Sequence, residues 1–326
     1  MDFRTVINIE PSALKITYHD PAMFIGSCFA LSIGKKFESG RMPAMINPSG
    51  TVFNPASVRT TLDHIIKGTE LSRGDLFEYK GRWVSFDHYT DFSATDPGSV
   101  LQKINSATRL AHNFLKRAKF LFITFGTARV YKLKDSGKIV SNCHKIPASY
   151  FINELLTVED ITNSWLSQLD ILSAEFPELK VIFTISPVRH WKDGAHGNMV
   201  SKSSLFLSVE ELLKHPSAPV YFPAYELLMD DLRDYRFYDS DLLHPSGEAV
   251  DYIWGKFTGC FFDNYTLVLW KEIEKITRSL NHLIKGDDKA GLRQFSSAML
   301  GKIALIEEKV KGIDFTTEKD YFGKLI

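Results

Sequence analysis

Three short and almost wholly apolar runs, residues 22–25, 119–125 and 180–185, constrain the fold of this chain more than any other feature. Each is too short for a core helix and lacks the alternation of a strand with one wet face, so each suits a parallel strand covered on both sides. Amphipathic segments separate them. Residues 29–37 carry Ala30, Ile33 and Phe37 at spacings of three and four, and 56–66 follow the proline-containing loop 47–55. Residues 100–117 place Leu101, Ile104, Ala107, Ala111 and Leu115 on or near one face. Helical stretches at 158–176 and 203–214 lead into the run at 180–185 and into Val220-Tyr221-Phe222. Strand, helix, strand repeated in this way predicts a mainly parallel sheet with helices on both faces, a three-layer α/β/α architecture. Asp135-Ser136-Gly137 lies between two alternating stretches within 130–141 and predicts a β-hairpin insertion. Residues 265–311, with Leu269, Ile273, Ile276 and Leu280 at helical spacing, predict a C-terminal helical hairpin. The expected organisation is an α/β domain over 1–262 with a helical extension, 263–326, packed on it.

With 326 residues, 44% of them hydrophobic and 13% aromatic, the chain has the material for a large core. Its 39 Lys and Arg balance 39 Asp and Glu without a basic stripe, which speaks against a nucleic-acid binder. No uncharged apolar run reaches the roughly 18 residues of a membrane helix. The first 25 residues lack the charged start, apolar stretch and small-residue cleavage site of a signal peptide. Cys28, Cys143 and Cys260 are odd in number and widely spaced, which suits free thiols in a reducing compartment. A cytoplasmic protein is expected, with neither a membrane span nor a nucleic-acid partner.

In an open parallel sheet ligands bind beyond the carboxyl ends of the strands, so the residues after each apolar run carry the chemistry. Gly26-Ser27-Cys28-Phe29-Ala30 stands at the first such place. A thiol at a helix start meets unpaired N–H groups, which would lower its pKa and offer donors to an oxyanion. A small buried hydrophobe fits the same position. Near the other end, Asp241-Leu242-Leu243-His244-Pro245-Ser246-Gly247 precedes the helical pattern 248–257. A residue before proline is disfavoured in a helix, so His244 is expected on a loop at a helix start. Asp241, three residues earlier, can reach the imidazole and hold its tautomer, although a loop cap has the same spacing. Asn142-Cys143-His144-Lys145 either returns to the site as a second polar cluster or ends a strand. Cys28, Cys143, His144 and His244 lack the short spacings of zinc ligands, so no metal is expected. Ser201-Lys202 has the form of a Ser–Lys pair but lacks a neighbouring oxyanion motif and is read as helix-start polarity, His190 and His196 are read as loop residues at a pocket mouth, and Tyr221, Phe222 and Tyr225 as core.

Phe24-Ile25-Gly26-Ser27-Cys28-Phe29-Ala30, Val52-Phe53-Asn54-Pro55, Asn142-Cys143-His144-Lys145, Ser186-Pro187-Val188, Ser201-Lys202 and residues 221–245 together resemble segments of the GSCFA family, named for the pentapeptide at 26–30. The resemblance covers about residues 3 to 260. That family is placed with the SGNH (GDSL-type) hydrolases, which implies a flavodoxin-like α/β/α fold, a nucleophile in an early Gly-Asp-Ser and a late Asp-x-x-His. Laid on this sequence, the nucleophile falls on Cys28 and the neighbouring aspartate on Ser27, while Asp241 and His244 fall on the orienting acid and the base. A competing register makes Ser27 the nucleophile and buries Cys28. Gly50 falls on a glycine whose backbone N–H meets the oxyanion. Where the superfamily has Gly-x-Asn-Asp this chain has Gly126-Thr127-Ala128-Arg129, so the asparagine is missing and its contact passes to another group such as Asn54 or Arg129. Thr127 and His144 complete the implied substrate-binding set. The implied activity is hydrolysis of an ester, carbohydrate esters included, or acyl transfer to a sugar hydroxyl, through a thioester on Cys28 and without a cofactor. The other reading is a non-catalytic carbohydrate- or partner-binding protein that keeps the fold.

Overall fold

Parallel pairing of the apolar runs builds the central sheet of the computed structural model, which describes residues 4–280 and 289–326. The strands are β1 (Ala22–Gly26), β2 (Ala44–Ile46), β3 (Phe77–Tyr79), β4 (Arg82–Val84), β5 (Phe120–Phe125), β6 (Arg129–Leu133), β7 (Ile139–Val140), β8 (Phe151–Leu155), β9 (Lys180–Ile185) and β10 (Val220–Tyr221). Five of them form one sheet in the order β10-β9-β5-β1-β2. β1 runs parallel to β5 with Ala22 opposite Phe120, β5 parallel to β9 with Phe120 opposite Lys180, and β9 parallel to β10. The helices are α1 (Cys28–Ser39), α2 (Pro55–Lys67), α3 (Pro97–Leu115), α4 (Val158–Glu175), α5 (Gly194–Leu212), the short α6 (Ala224–Glu226), α7 (Gly247–Phe261), α8 (Asn264–Ser279), α9 (Lys289–Lys309) and α10 (Thr316–Gly323). This is the expected three-layer α/β/α arrangement. Among the described residues no helix is long and apolar enough to cross a membrane.

Alternation within the runs explains why both faces of the sheet need cover. Met23, Ile25, Leu121, Ile123, Phe183 and Ile185 pack in one cluster with Val58 and Leu62 of α2, Leu115 of α3, Trp165 and Leu169 of α4, and Leu205 and Val209 of α5. The intervening residues are buried as well, and Phe24 stacks on Phe122 with ring centroids 4.6 Å apart. Local chemistry fixes the helix starts. Asn54 Oδ1 accepts the Ser57 N–H at 2.8 Å with Pro55 in the first turn of α2. Thr157 and Asp160 form a reciprocal capping box on α4.

The hairpin expected at 130–141 is β6 and β7, antiparallel, and β8 extends it to three strands in the order β7-β6-β8. Strands β2, β3, β4 and β8 were not anticipated from the sequence. The helix expected at 203–214 begins earlier, at Gly194. Its inward face over the first turns is Asn198, Ser201, Lys202 and Leu205, buried at helical spacing but mostly polar, so hydrophobic periodicity does not reveal it.

The described residues form two compact units. The first comprises those within 4–8, 21–34 and 45–255; the second comprises those within 9–20, 35–44, 256–280 and 289–326. Within the second, Trp270 Nε1 donates to Lys36 O at 3.0 Å, Thr277 Oγ1 to Ser39 O at 2.8 Å and Tyr18 hydroxyl to Gly40 O at 2.9 Å. Gly40 lies so close to the Trp270 ring that a Cβ there would overlap it. Arg41 pairs with the buried carboxylate of Glu318. In the stretch expected to be a helical hairpin, α8 and α9 are present, and residues 281–288 lie outside the described residues.

Candidate functional site

Strand order makes the carboxyl end of β1 the switch point of the sheet, the place where open α/β sheets bind ligands. With β2 on one side of β1 and β5, β9 and β10 on the other, successive connections leave in opposite directions from its carboxyl end. The turn into α1 is tight. Gly26 has φ 147°, and a Cβ there would lie 2.2 Å from the Thr124 carbonyl oxygen, so only glycine lets the chain pass β5. Ser27 follows, 1% exposed, with its hydroxyl accepting the Phe29 N–H at 3.3 Å as a cap on α1. Cys28 is the first residue of the helix and is partly exposed. Burial pushes its thiol pKa up, outweighing the N–H groups of Cys28 and Phe29 and the charge of Lys202, which pull it down. The expectation that the helix start lowers this pKa is therefore overturned: desolvation of the thiolate wins over the helix terminus.

Asp241 and His244 lie on the turn before α7, closed by a bridge between Tyr238 and Pro245. Asp241 Oδ1 accepts the backbone N–H groups of Leu243 and His244, each at 2.9 Å, and Oδ2 meets His244 Nδ1 at 2.5 Å. These donors, the His244 N–H first, hold the carboxyl down at about 2. The negative charge of Asp241 is felt at Cys28, where it opposes thiolate formation. With Nδ1 engaged by the carboxylate, Nε2 is left as the ring nitrogen able to accept a proton.

Sequence reasoning undervalued Lys202. Far from being helix-start polarity, it lies within α5 and is 1% exposed. Its Nζ donates to Gly126 O at 2.7 Å and to Ser186 O at 2.6 Å, tying together the segments that follow β5 and β9, and lies 5.4 Å from the Tyr225 ring centre. Burial depresses its pKa to about 7, against the opposing pull of the Cys28 charge. His190, in the loop after β9, is held near 4 by burial first and by Lys202 and His244 next, so it is a neutral imidazole at physiological pH. His196 is exposed on α5.

The burial of Lys202 makes a stability prediction. An unfolded chain keeps this proton up to the ordinary value of 10.5, the folded chain only up to about 7. Between these values the unfolded state binds more protons, so unfolding free energy rises with pH across that window. Below it the cost of burying the ammonium is present in full. Urea unfolding of wild type and Lys202→Met from neutral to alkaline pH should show a wild-type gain, relative to the variant, amounting to several kcal/mol. Parallel curves for the two proteins would refute it.

The groups expected to serve an oxyanion are mostly committed elsewhere. The Gly50 N–H is donated to Asn47 O at 2.7 Å in a turn with φ 80°. Gly126 and Thr127 both give their N–H groups to Phe53 O, and the Thr127 hydroxyl pairs with Ser201 Oγ at 2.9 Å. Arg129 donates to Asn153 Oδ1 at 2.8 Å and faces Asp193 at 3.6 Å. Asn54 spends its side-chain oxygen capping α2. His144 belongs to a different group of residues: its Nε2 meets Ser85 O at 2.8 Å and its ring lies 6.2 Å from that of Phe86, with His88 and Asp87 alongside. Among the described residues no group of three or more His, Cys, Asp or Glu side chains is placed to hold a metal ion.

Asn47 is the residue that sequence reasoning missed. It follows β2 with φ 43°, a left-handed conformation that asparagine tolerates. Its backbone N–H donates to Phe24 O at 2.8 Å and its Oδ1 accepts the Gly26 N–H at 2.8 Å, so it pairs with β1 as a strand would. That second bond fixes the amide orientation. Nδ2 is left buried and without a hydrogen-bond partner, beside the Gly26-Ser27-Cys28 turn. An unsatisfied buried donor costs about 1–3 kcal/mol and marks a place where an acceptor is wanted.

The model of the GSCFA family matches residues 21–257, which takes in Cys28, Asn47, Lys202, Asp241 and His244. No curated protein matches the chain.

Proposed function

The chain belongs to the GSCFA family, and we propose that it is an acyl hydrolase or acyltransferase of the SGNH type with Cys28 as nucleophile, His244 as base and Asp241 as the group that orients it. The observation that carries the reading is the 2.5 Å bond from His244 Nδ1 to Asp241, whose charge is felt at Cys28. Ser27, capped onto α1 and 1% exposed, is the weaker nucleophile candidate. Because burial keeps Cys28 a thiol at rest, the sulfur must lose its proton as it attacks. His244 Nε2 takes that proton while Sγ bonds to the ester carbonyl carbon. The tetrahedral oxyanion collapses, the alkoxide leaves with the proton from His244, and a thioester remains on Cys28. Water or a sugar hydroxyl then attacks the thioester, giving its proton to His244, which returns it to the departing sulfur. The Asn47 amide, the α1 terminus and the Lys202 charge supply the positive field for the oxyanion.

Brief exposure to p-nitrophenyl acetate followed by intact-mass measurement tests the reading. One acetyl group is expected on wild type and on Ser27→Ala, decaying with turnover, and none on Cys28→Ala or His244→Ala. The commitment of Gly50 and Thr127 to other partners favours a second reading, a non-catalytic glycan- or partner-binding protein. Absence of any Cys28-dependent adduct would replace the first reading by the second.

A further inference from the structure

We propose that the cavity beside Asp241 and His244 is a subsite for a negatively charged sugar, with Arg189 as the residue that receives the anion; this rests on the acyl-transfer reading and names its substrate class. The cavity has a volume of about 670 Å³, within the range of small-ligand sites, and Asp241 and Leu243 form part of its wall. Two of its carboxylates are already matched by cations, Asp230 by Arg233 at 3.3 Å and Asp234 by Arg236 at 3.5 Å, while Asp241 is hydrogen-bonded to the His244 ring.

Arg189 differs from these cations. Among the described residues no carboxylate forms an ion pair with it, its Nε is sealed from solvent without a hydrogen-bond partner, and its guanidinium meets only neutral groups, the Met229 sulfur 3.3 Å from Nη2 and the Tyr225 hydroxyl. A thioether is a weak acceptor and a phenol hydroxyl is uncharged, so a guanidinium is held at the cavity without an anion to neutralise it. Buried Lys202 lies within its field and likewise has no carboxylate partner among the described residues; Arg189 helps to push the Lys202 proton off, so the permanent positive charge at the cavity is that of Arg189. A carboxylate or phosphate matches such a guanidinium with two parallel hydrogen bonds. Two large rings on the cavity wall, Trp191 and Tyr235, are left 51% and 73% exposed. Flat amphipathic rings in water beside polar and charged groups suit the face of a sugar better than an acyl chain, which would need an apolar trough.

Calorimetric titration of the full chain with methyl β-D-glucuronide, glucose 6-phosphate and methyl β-D-glucoside tests the proposal. Wild type should bind at least one anionic sugar about tenfold or more tightly than the neutral one, and the stronger of the two anions identifies carboxylate or phosphate as the preferred group. Arg189→Met should bring both down to the level of the glucoside without lowering the thermal midpoint. Arg189→Lys, which keeps the charge and loses the fork, should fall between them and serves if the Met variant does not fold. Equal binding of charged and neutral sugars, no binding of any of the three, or unchanged binding in both variants would overturn the proposal. Cys28→Ala should bind the sugars like wild type, so a failure of the acyl chemistry shows in the acetyl adduct while a failure of the subsite shows only in the titrations.

Discussion

Cys28→Ala is expected to lower ester turnover by about 10⁴-fold or more, the loss seen when a nucleophile acting in concert with its base is removed. Cys28→Ser should retain more activity than Cys28→Ala. The reason lies in the resting state of the thiol. If Cys28 were a preformed thiolate beside an imidazolium, an alcohol in its place would have no comparable acidity and the serine variant would match the alanine variant. Burial instead keeps Cys28 protonated, and Asp241 adds to that bias. On the proposed acyl-transfer reading His244 must therefore remove a proton during attack, a task that a hydroxyl at the same helix start presents in the same form. Steady-state hydrolysis of p-nitrophenyl acetate by the three proteins decides the matter. Wild-type turnover in Cys28→Ala would remove the nucleophile assignment, and equal loss in both variants would mean that the thiolate forms before substrate arrives. Alkylation of Cys28 by iodoacetamide gives the independent check: its rate should keep rising with pH beyond the ordinary thiol value of 9.0.

The central sheet was legible because its three inner strands are buried on both faces along nearly their whole length and so carry almost wholly apolar runs. The short strands β2, β3 and β4 contain only three residues each, too few for any periodicity to emerge. In the candidate site the same physics works against the reader. Asp241 and His244 stand three residues apart and their hydrogen bond follows from local spacing. Lys202 and Asn47 act through partners distant in sequence, Gly126 and Ser186 for the first and Gly26 for the second. Nothing local distinguishes a lysine that will be enclosed from one on a solvated face. The first turns of α5 hide for a related reason: Asn198, Ser201 and Lys202 face inward, where a structural helix would place apolar residues. A helix whose buried face is polar is a sign of a site, but only once the helix is known to be there. Gly50 was misjudged in the opposite sense, since a glycine with positive φ in a loop can free its N–H or spend it in the turn, and here it spends it on Asn47.

Asn47→Asp is expected to reduce kcat for ester hydrolysis by about 10²–10³-fold, the usual cost of one oxyanion donor, with a much smaller change in KM. The substitution isolates the donor. Aspartate keeps an oxygen for the Gly26 N–H, bonded at 2.8 Å in the native protein, and tolerates the left-handed backbone at this position. It replaces the unpartnered Nδ2 by an acceptor, which repels the charge that develops on the carbonyl oxygen. A tetrahedral oxyanion forms during acyl transfer but not during displacement of iodide from iodoacetamide. The variant should therefore lose acetylation of Cys28 by p-nitrophenyl acetate far more than it loses alkylation, with the two compared over their pH profiles because the added carboxylate also raises the thiol. A structural role confined to holding the β1 turn predicts the reverse pattern: a lowered thermal midpoint and parallel losses in both reactions. Unchanged kcat in Asn47→Asp would pass the oxyanion to the α1 terminus, where the backbone N–H groups of Cys28 and Phe29 already lie against the sulfur.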